Sequence, residues 1–220
     1  MANFVGRIGT KINYATGKAE RTELDENTTM LCTRYEHFRE DTDVLQGKFA
    51  DFLVNPNSMT SAEKLAEAMA QMSAHVDKSF ALNLDALKLA ECLRVIGKAQ
   101  REIVPPIREN VVTPMQKFLK EEAVSFKKAK SQLDAAILDM DGSRSKRARS
   151  VSPDPSVKAE LERKEQETRE IFEAKLEEFK TIASQLPKLQ SNQEDILKAF
   201  ANSLLQFHTF AAEKLNEYLG

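Results

Sequence analysis

Apolar residues recur at helical spacing from Leu24 onward. Alternate steps of four and three meet Thr28, Leu31, Tyr35, Phe38, Thr42, Leu45, Phe49 and Phe52. All but the two threonines are apolar or aromatic, so the seam has coiled-coil character. It predicts a first helix over about 22–55, stopped where Pro56 disfavours helix at Asn55. A second start signal stands at Thr60, which has capping-box spacing to Glu63. From Leu65 the stripe runs through Met69, Met72, Val76, Phe80, Leu84 and Leu87. It continues through Ile96, Ile103, Ile107 and Val111 to Phe118, Phe126, Leu133 and Ile137. The pattern predicts one bent second helix over about 60–141, roughly 120 Å long at about 1.5 Å per residue. Pro105, Pro106 and Pro114 are its expected kinks, because an interior proline removes a hydrogen bond and clashes with the preceding turn. Two helices broken at Pro105-Pro106 is the alternative.

Residues 142–153, Gly-Ser-Arg-Ser-Lys-Arg-Ala-Arg-Ser-Val-Ser-Pro, read as a basic tip loop by composition. Asp154 followed by Pro155 supplies an N-cap and a proline at the first helical position. A third helix is predicted over about 155–219, with Phe172, Phe179, Leu186, Ile196, Phe200 and Phe207 on its apolar face and a kink at Pro187. Three helices of such unequal length leave apolar stripe uncovered, and a symmetric homodimer is the simplest closure. The expected fold is all-α: three long, kinked antiparallel helices pairing into a homodimeric six-helix bundle with the 142–153 loops at its tips.

The segment before the first helix has a different pattern. On a helical wheel of about 100° per residue, Phe4, Val5, Ile8, Ile12 and Ala15 share one arc. Arg7, Lys11, Tyr14 and Lys18 fall along one flank, and Asn3, Gly6, Gly9, Thr10 and Asn13 form the back. An apolar face with a basic flank marks a helix that lies in a lipid interface. Each of Gly6, Gly9 and Gly17 costs a helix about 1 kcal/mol relative to alanine. Residues 1–19 are therefore expected to be disordered in water and to fold where the apolar face is buried. The competing reading is a terminus that packs on the bundle.

Composition narrows the function. The 220 residues are 30% charged and 41% hydrophobic, with only 7 glycines and 7 prolines, too few for a turn-rich β fold. No apolar run approaches the roughly 18 residues of a membrane span. A signal-peptide core is absent. Two cysteines, Cys32 and Cys92, make no disulfide framework, which fits a reduced, cytoplasmic setting. The net charge of −2 hides an asymmetry. Residues 1–19 carry cations without acids, as do residues 142–153 with Arg144, Lys146, Arg147 and Arg149. Lys127, Lys128 and Lys130 precede them on an otherwise acidic chain. Such clusters attract anionic lipid headgroups. Nucleic acid is not expected, because no aromatics interleave the cations. His37, His75 and His208 lie far apart, and no phosphate-binding, nucleophile or Glu-x-x-His metal motif is present. No enzyme activity, metal or cofactor is expected. Ser150 and Ser152 stand in basic contexts where phosphate would cancel local positive charge.

Several segments resemble the N-BAR domains of endophilins. They are Ala19-Glu20-Arg21-Thr22-Glu23-Leu24-Asp25 after the basic start, Phe52-Leu53-Val54-Asn55-Pro56-Asn57, Ala62-Glu63-Lys64-Leu65-Ala66-Glu67-Ala68-Met69 and Asn110-Val111-Val112-Thr113-Pro114-Met115. The likeness runs in order along essentially the whole chain. It implies a crescent-shaped BAR-domain dimer, peripheral on anionic phospholipid membranes, that senses or induces curvature in endocytosis or vesicle trafficking. Phe4, Val5, Ile8 and Ile12 would insert into the bilayer. Arg7, Lys11 and Lys18 would lie at headgroup level, with Lys127, Lys128 and Lys130 on the concave face and Arg144, Lys146, Arg147 and Arg149 at the tip. The inserted segment that endophilins carry near Asn57–Ser61 is a short turn here. Their Src-homology-3 domain has no counterpart in these residues, so recruitment of proline-rich partners is not expected. The alternative function is a cytosolic helical dimer that scaffolds a protein partner such as a small GTPase.

Overall fold

The computed structural model describes residues 2–17 and 20–220, with side chains from Gly6 onward among them. Every regular element among them is helical: α1 (Ala2–Ala15), α2 (Glu26–Phe52), α3 (Ser61–His75), α4 (Ala81–Glu102), α5 (Val104–Ile107), a π-helical turn (Arg108–Val112), α6 (Thr113–Lys120), α7 (Glu122–Arg149), α8 (Pro155–Ala183) and α9 (Leu186–Leu219). The chain divides into two compact units. One joins residues 1–40 to 119–188, and the other joins 41–118 to 189–220.

In the first unit, α2 is capped by Asp25. Its carboxylate accepts the Thr28 N–H at 2.8 Å and the Thr28 hydroxyl at 2.7 Å. Those bonds, with Lys180 nearby, pull its pKa down to about 2. α7 and α8 run antiparallel, because Arg147 pairs with Glu165 at one end and Lys175 donates to Gln132 further along. Buried alanines at 123, 129 and 136 allow close approach of α7. The Tyr35 and Phe126 rings stack with centroids 3.8 Å apart, and Phe126 meets Phe179 at 5.3 Å. Leu133, Ile137 and Met140 complete the buried face of α7.

The second unit corrects the sequence expectation of one helix over 60–141. The chain reverses at residues 76–80, and α3 folds back antiparallel on α4. The turn uses neither glycine nor proline. Asp77 Oδ1 accepts the N–H and hydroxyl of Ser79, each at 2.8 Å. Asn83 Nδ2 donates to the Ser73 and Val76 carbonyls at the C-terminal end of α3, where Ser73 O also accepts the Val76 N–H. At the other end of the hairpin Thr60 and Glu63 form a reciprocal capping box. The Thr60 N–H, helped by Arg101, holds the Glu63 carboxyl below its usual range. A Cβ on Gly97 would stand 2.4 Å from Thr60 Oγ1 and 2.5 Å from Glu63 Cγ. Gly97→Ala must push α4 away from this cap. An overpacking cost of about 1–3 kcal/mol is expected, read as a lowered midpoint in thermal melts.

The prolines stand where helical segments change register. Pro105 and Pro106 lie in α5. Before Pro114, which has no N–H to donate, the Thr113 N–H reaches Arg108 O, five residues back. The extra residue turns adjacent Val111 and Val112 both into a core with Phe49, Ile107 and Met115. Pro187 follows the break at Ser184 and Gln185. The described residues leave part of the hairpin's apolar stripe uncovered. Leu65, Phe80, Leu84 and Leu87 are all exposed.

The expected loop over 142–153 is a second correction. α7 continues through Arg149, and the connection to α8 shrinks to residues 150–154. Ser143 donates to Asp139 O within the helix, Ser145 is buried, and Arg147 ties the last turn to Glu165 of α8. Packing against α8 supplies what the Ser/Arg composition does not advertise.

Candidate membrane-facing site

α1 is helical and docked on α7 in the first unit, rather than unfolded as the glycines suggested. It docks by its polar back, not by its apolar face. Thr10 is buried, and its Oγ1 lies 2.6 Å from where a Gly142 Cβ would be, so a side chain at 142 would displace it. Arg7 grips Asp139 with both arms of its guanidinium, Nε to Oδ1 at 2.9 Å and Nη2 to Oδ2 at 2.6 Å. That pairing raises the Arg7 pKa.

Beside it lies a buried carboxylate, Asp141, only 1% exposed. It accepts the Tyr14 hydroxyl at 2.5 Å, the Thr22 N–H at 2.8 Å, the Thr22 hydroxyl at 2.5 Å and Arg144 Nη2 at 2.8 Å. Arg144 also reaches the Glu20 carbonyl and Thr22. A buried charge is tolerable when paired and fully hydrogen-bonded in this way. Burial, and then the bond to Asp141, push the Tyr14 phenol well above its usual range. One carboxylate thus pins α1, the segment before α2, and α7 together.

This docking turns the apolar face outward. Ile8 is 46% exposed and Ile12 58%, with exposed Lys11 beside them. Phe4 and Val5 belong to the same helix, but their side chains lie outside the described residues, as does Lys18 altogether.

The candidate headgroup cations separate into two kinds. Arg7, Lys130, Arg144 and Arg147 are committed to Asp139, Glu36, Asp141 and Glu165 respectively. Lys11, Lys127, Lys128, Lys146 and Arg149 are exposed and have no acidic partner among the described residues. Lys146 and Arg149 share the last turns of α7 with one face toward Lys164 of α8. The partner acids Asp139 and Asp141 carry no sequence signal that would single them out. Their roles come from which helix lies opposite. The described residues contain no group of three or more His, Cys, Asp or Glu side chains placed to hold a metal ion. No helix among them is long and apolar enough to cross a membrane.

Together these features define an all-helical domain whose amphipathic α1 docks on α7 beside exposed cations. A family model described as BAR domain matches residues 1–219, and the chain belongs to the BAR domain family. Members of this family form dimers and bind membranes peripherally, in curvature sensing and trafficking. The chain is similar to endophilin-B2 of Bos taurus, 26% identical over 148 residues, covering 59% of this chain and 38% of that protein. It is also similar to endophilin-B1 of Rattus norvegicus, 24% identical over 178 residues, covering 72% and 49%. The chain thus spans less than half the length of these relatives. Among solved structures, the N-terminal I-BAR domain (1–259) of D. Discoideum IBARa aligns with 99% of this chain and 86% of that one, at 12% identity and a TM-score of 0.40. The endophilin likeness read from the sequence agrees with these relatives.

Proposed function

We propose that this chain is a peripheral, cytoplasmic curvature-sensing or curvature-inducing protein that binds anionic membranes as a homodimer and acts through surface and shape rather than catalysis. The observation that carries the reading is the docking of α1 by its polar back. Its apolar face with Ile8 and Ile12 is left free to enter a bilayer, with Lys11 at headgroup depth. Lys127, Lys128, Lys146 and Arg149, exposed and without an acidic partner among the described residues, supply attraction to anionic lipid, about 1 kcal/mol each near the surface. Arg7, Arg144 and Arg147 instead hold the platform together.

Co-sedimentation with phosphatidylserine vesicles tests this, with the intact chain beside one lacking residues 1–18. The intact chain is expected to pellet at low salt and to be released as salt rises, and the truncated chain to bind at least tenfold more weakly. Salt-insensitive binding that survives truncation would overturn the mechanism.

The exposed α3–α4 stripe supports the homodimer. Exposed apolar surface of this extent marks an interface rather than a solvated face. Leu84→Glu with Leu87→Glu is expected to convert dimer to monomer in analytical ultracentrifugation while leaving the helical circular dichroism in place. A dimer of unchanged affinity would place the interface elsewhere.

A further inference from the structure

The connection between α7 and α8, residues 150–154, carries a Ser-Pro step at Ser152-Pro153. Its ends are extended, with φ −72° and ψ 119° at Ser150 and φ −69° and ψ 118° at Asp154. Val151 is 96% exposed, and Pro153 and Asp154 are exposed with it. The Ser152 side-chain oxygen accepts the Asp154 N–H at 3.3 Å, and its O–H donates to no group among the described residues. The other serines at this end are placed differently. Ser143 donates to Asp139 O, Ser145 is buried, and Ser156 donates to Asp154 Oδ1 inside the first turn of α8. Ser150 closes α7 with its N–H on Arg147 O, and Arg147, three residues before it, is held by Glu165 at 2.9 Å. The residue three before Ser152 is Arg149, which is exposed and has no acidic partner among the described residues.

A protein kinase needs its acceptor hydroxyl in line with the γ-phosphate of ATP and within reach of the catalytic aspartate. A serine on an accessible, extended segment meets that demand, whereas a helical serine meets it only after a turn unfolds. Of the three residues before Ser152, only Arg149 is helical. Pro153 has no N–H, which is the feature a proline-directed kinase reads directly after its acceptor. We propose that Ser152 is the acceptor of a proline-directed serine kinase, and that its phosphate switches off the attraction of this end of the chain for anionic lipid. The Ser152 oxygen attacks the γ-phosphorus of magnesium-ATP, the bond from that phosphorus to the bridging oxygen breaks, and ADP leaves with the electron pair. The hydroxyl proton passes to the aspartate of the kinase. The product carries about −1.5 to −2 at neutral pH. Exposed Lys146 and Arg149 stand before it in the chain and Lys158 after it, so it offsets about two of the local cations. The positive end of the α8 dipole favours the phosphate, and the Asp154 carboxylate beside it is already engaged by the N–H and hydroxyl of Ser156. The loss of lipid attraction rests on the membrane reading, while the choice of acceptor rests on the connection alone.

The test treats the full chain with magnesium-ATP and a purified mitogen-activated protein kinase and maps the phosphorylated residue by mass spectrometry. Treated and untreated chains are then compared on phosphatidylserine vesicles at fixed ionic strength. Incorporation at Ser152 of the folded chain is expected, with an affinity for vesicles at least about tenfold lower that a phosphatase restores. Ser150→Ala should keep both signals. Ser152→Ala removes only an acceptor for the Asp154 N–H. It should keep its helical circular dichroism, bind vesicles as the untreated chain does, and lose all response to the kinase at the vesicle. If Ser152 takes the phosphate but the untreated chain binds no vesicles, the membrane reading fails and the acceptor assignment stands. Incorporation at Ser150 instead, or none at Ser152, overturns the assignment. Full incorporation at Ser152 with unchanged vesicle affinity overturns the switch.

Discussion

Asp141→Ala is expected to release α1 from the bundle and to lower stability more than any other single change considered. The substitution removes the acceptor for Tyr14, Thr22 and Arg144 at once. Breaking a buried, hydrogen-bonded ion pair on one side costs about 3–5 kcal/mol. Part of that is recovered here, because Arg144 is 41% exposed and can turn to water. A net loss of about 3 kcal/mol would lower the melting temperature by roughly 6–12 °C for a domain of this size. Hydrogen exchange separates the local effect from the global one. The amides of α1 should lose protection before those of α7, and trypsin should cut at Arg7 and Lys11 in the variant first. If α1 stays protected, Asp141 is not what holds it.

Ile8→Glu with Ile12→Glu should have the largest effect on membrane binding. Burying an isoleucine side chain is worth about 1.5–3 kcal/mol, so losing both favourable transfers, with two acids added, weakens partitioning by at least about 100-fold. The same positions are half exposed in the docked helix, so stability and dimerisation should be unaffected. Vesicle flotation read beside light scattering checks both halves. Equal binding by the double variant would mean that α1 is a structural strap and not a wedge.

The two variants act on opposite faces of one helix. Asp141 and Arg7 set how α1 is held, whereas Ile8 and Ile12 set what it offers to a bilayer. A loosened α1 can still enter lipid, so Asp141→Ala should keep vesicle binding where the isoleucine pair loses it. In water α1 would then resemble the disordered segment that its glycines suggest.

What the sequence determined by itself was local and periodic. Heptad spacing from Leu24 and the scarcity of glycine and proline give an all-helical chain, and the Thr60–Glu63 box and Asp154-Pro155 stand at the observed starts of α3 and α8. The wheel of residues 4–18 likewise showed an apolar face, and the ordered likeness to endophilin N-BAR domains pointed to the family. Tertiary structure decided the rest. The reversal at 76–80 was hidden because the apolar stripe runs straight through Val76 and Phe80, and the turn depends on Asn83 reaching back to carbonyls of α3. The 142–153 segment is helical through Arg149 because α8 lies alongside to bury Ser145 and pair Arg147. Which cations are free was equally illegible. Arg7 and Lys11 look alike in the chain, yet Asp139, 132 residues away from Arg7, holds the first and leaves the second to solvent. Periodicity reports a residue's own helix face, whereas charge pairing and the direction in which α1 docks depend on partners that only the folded chain brings within reach.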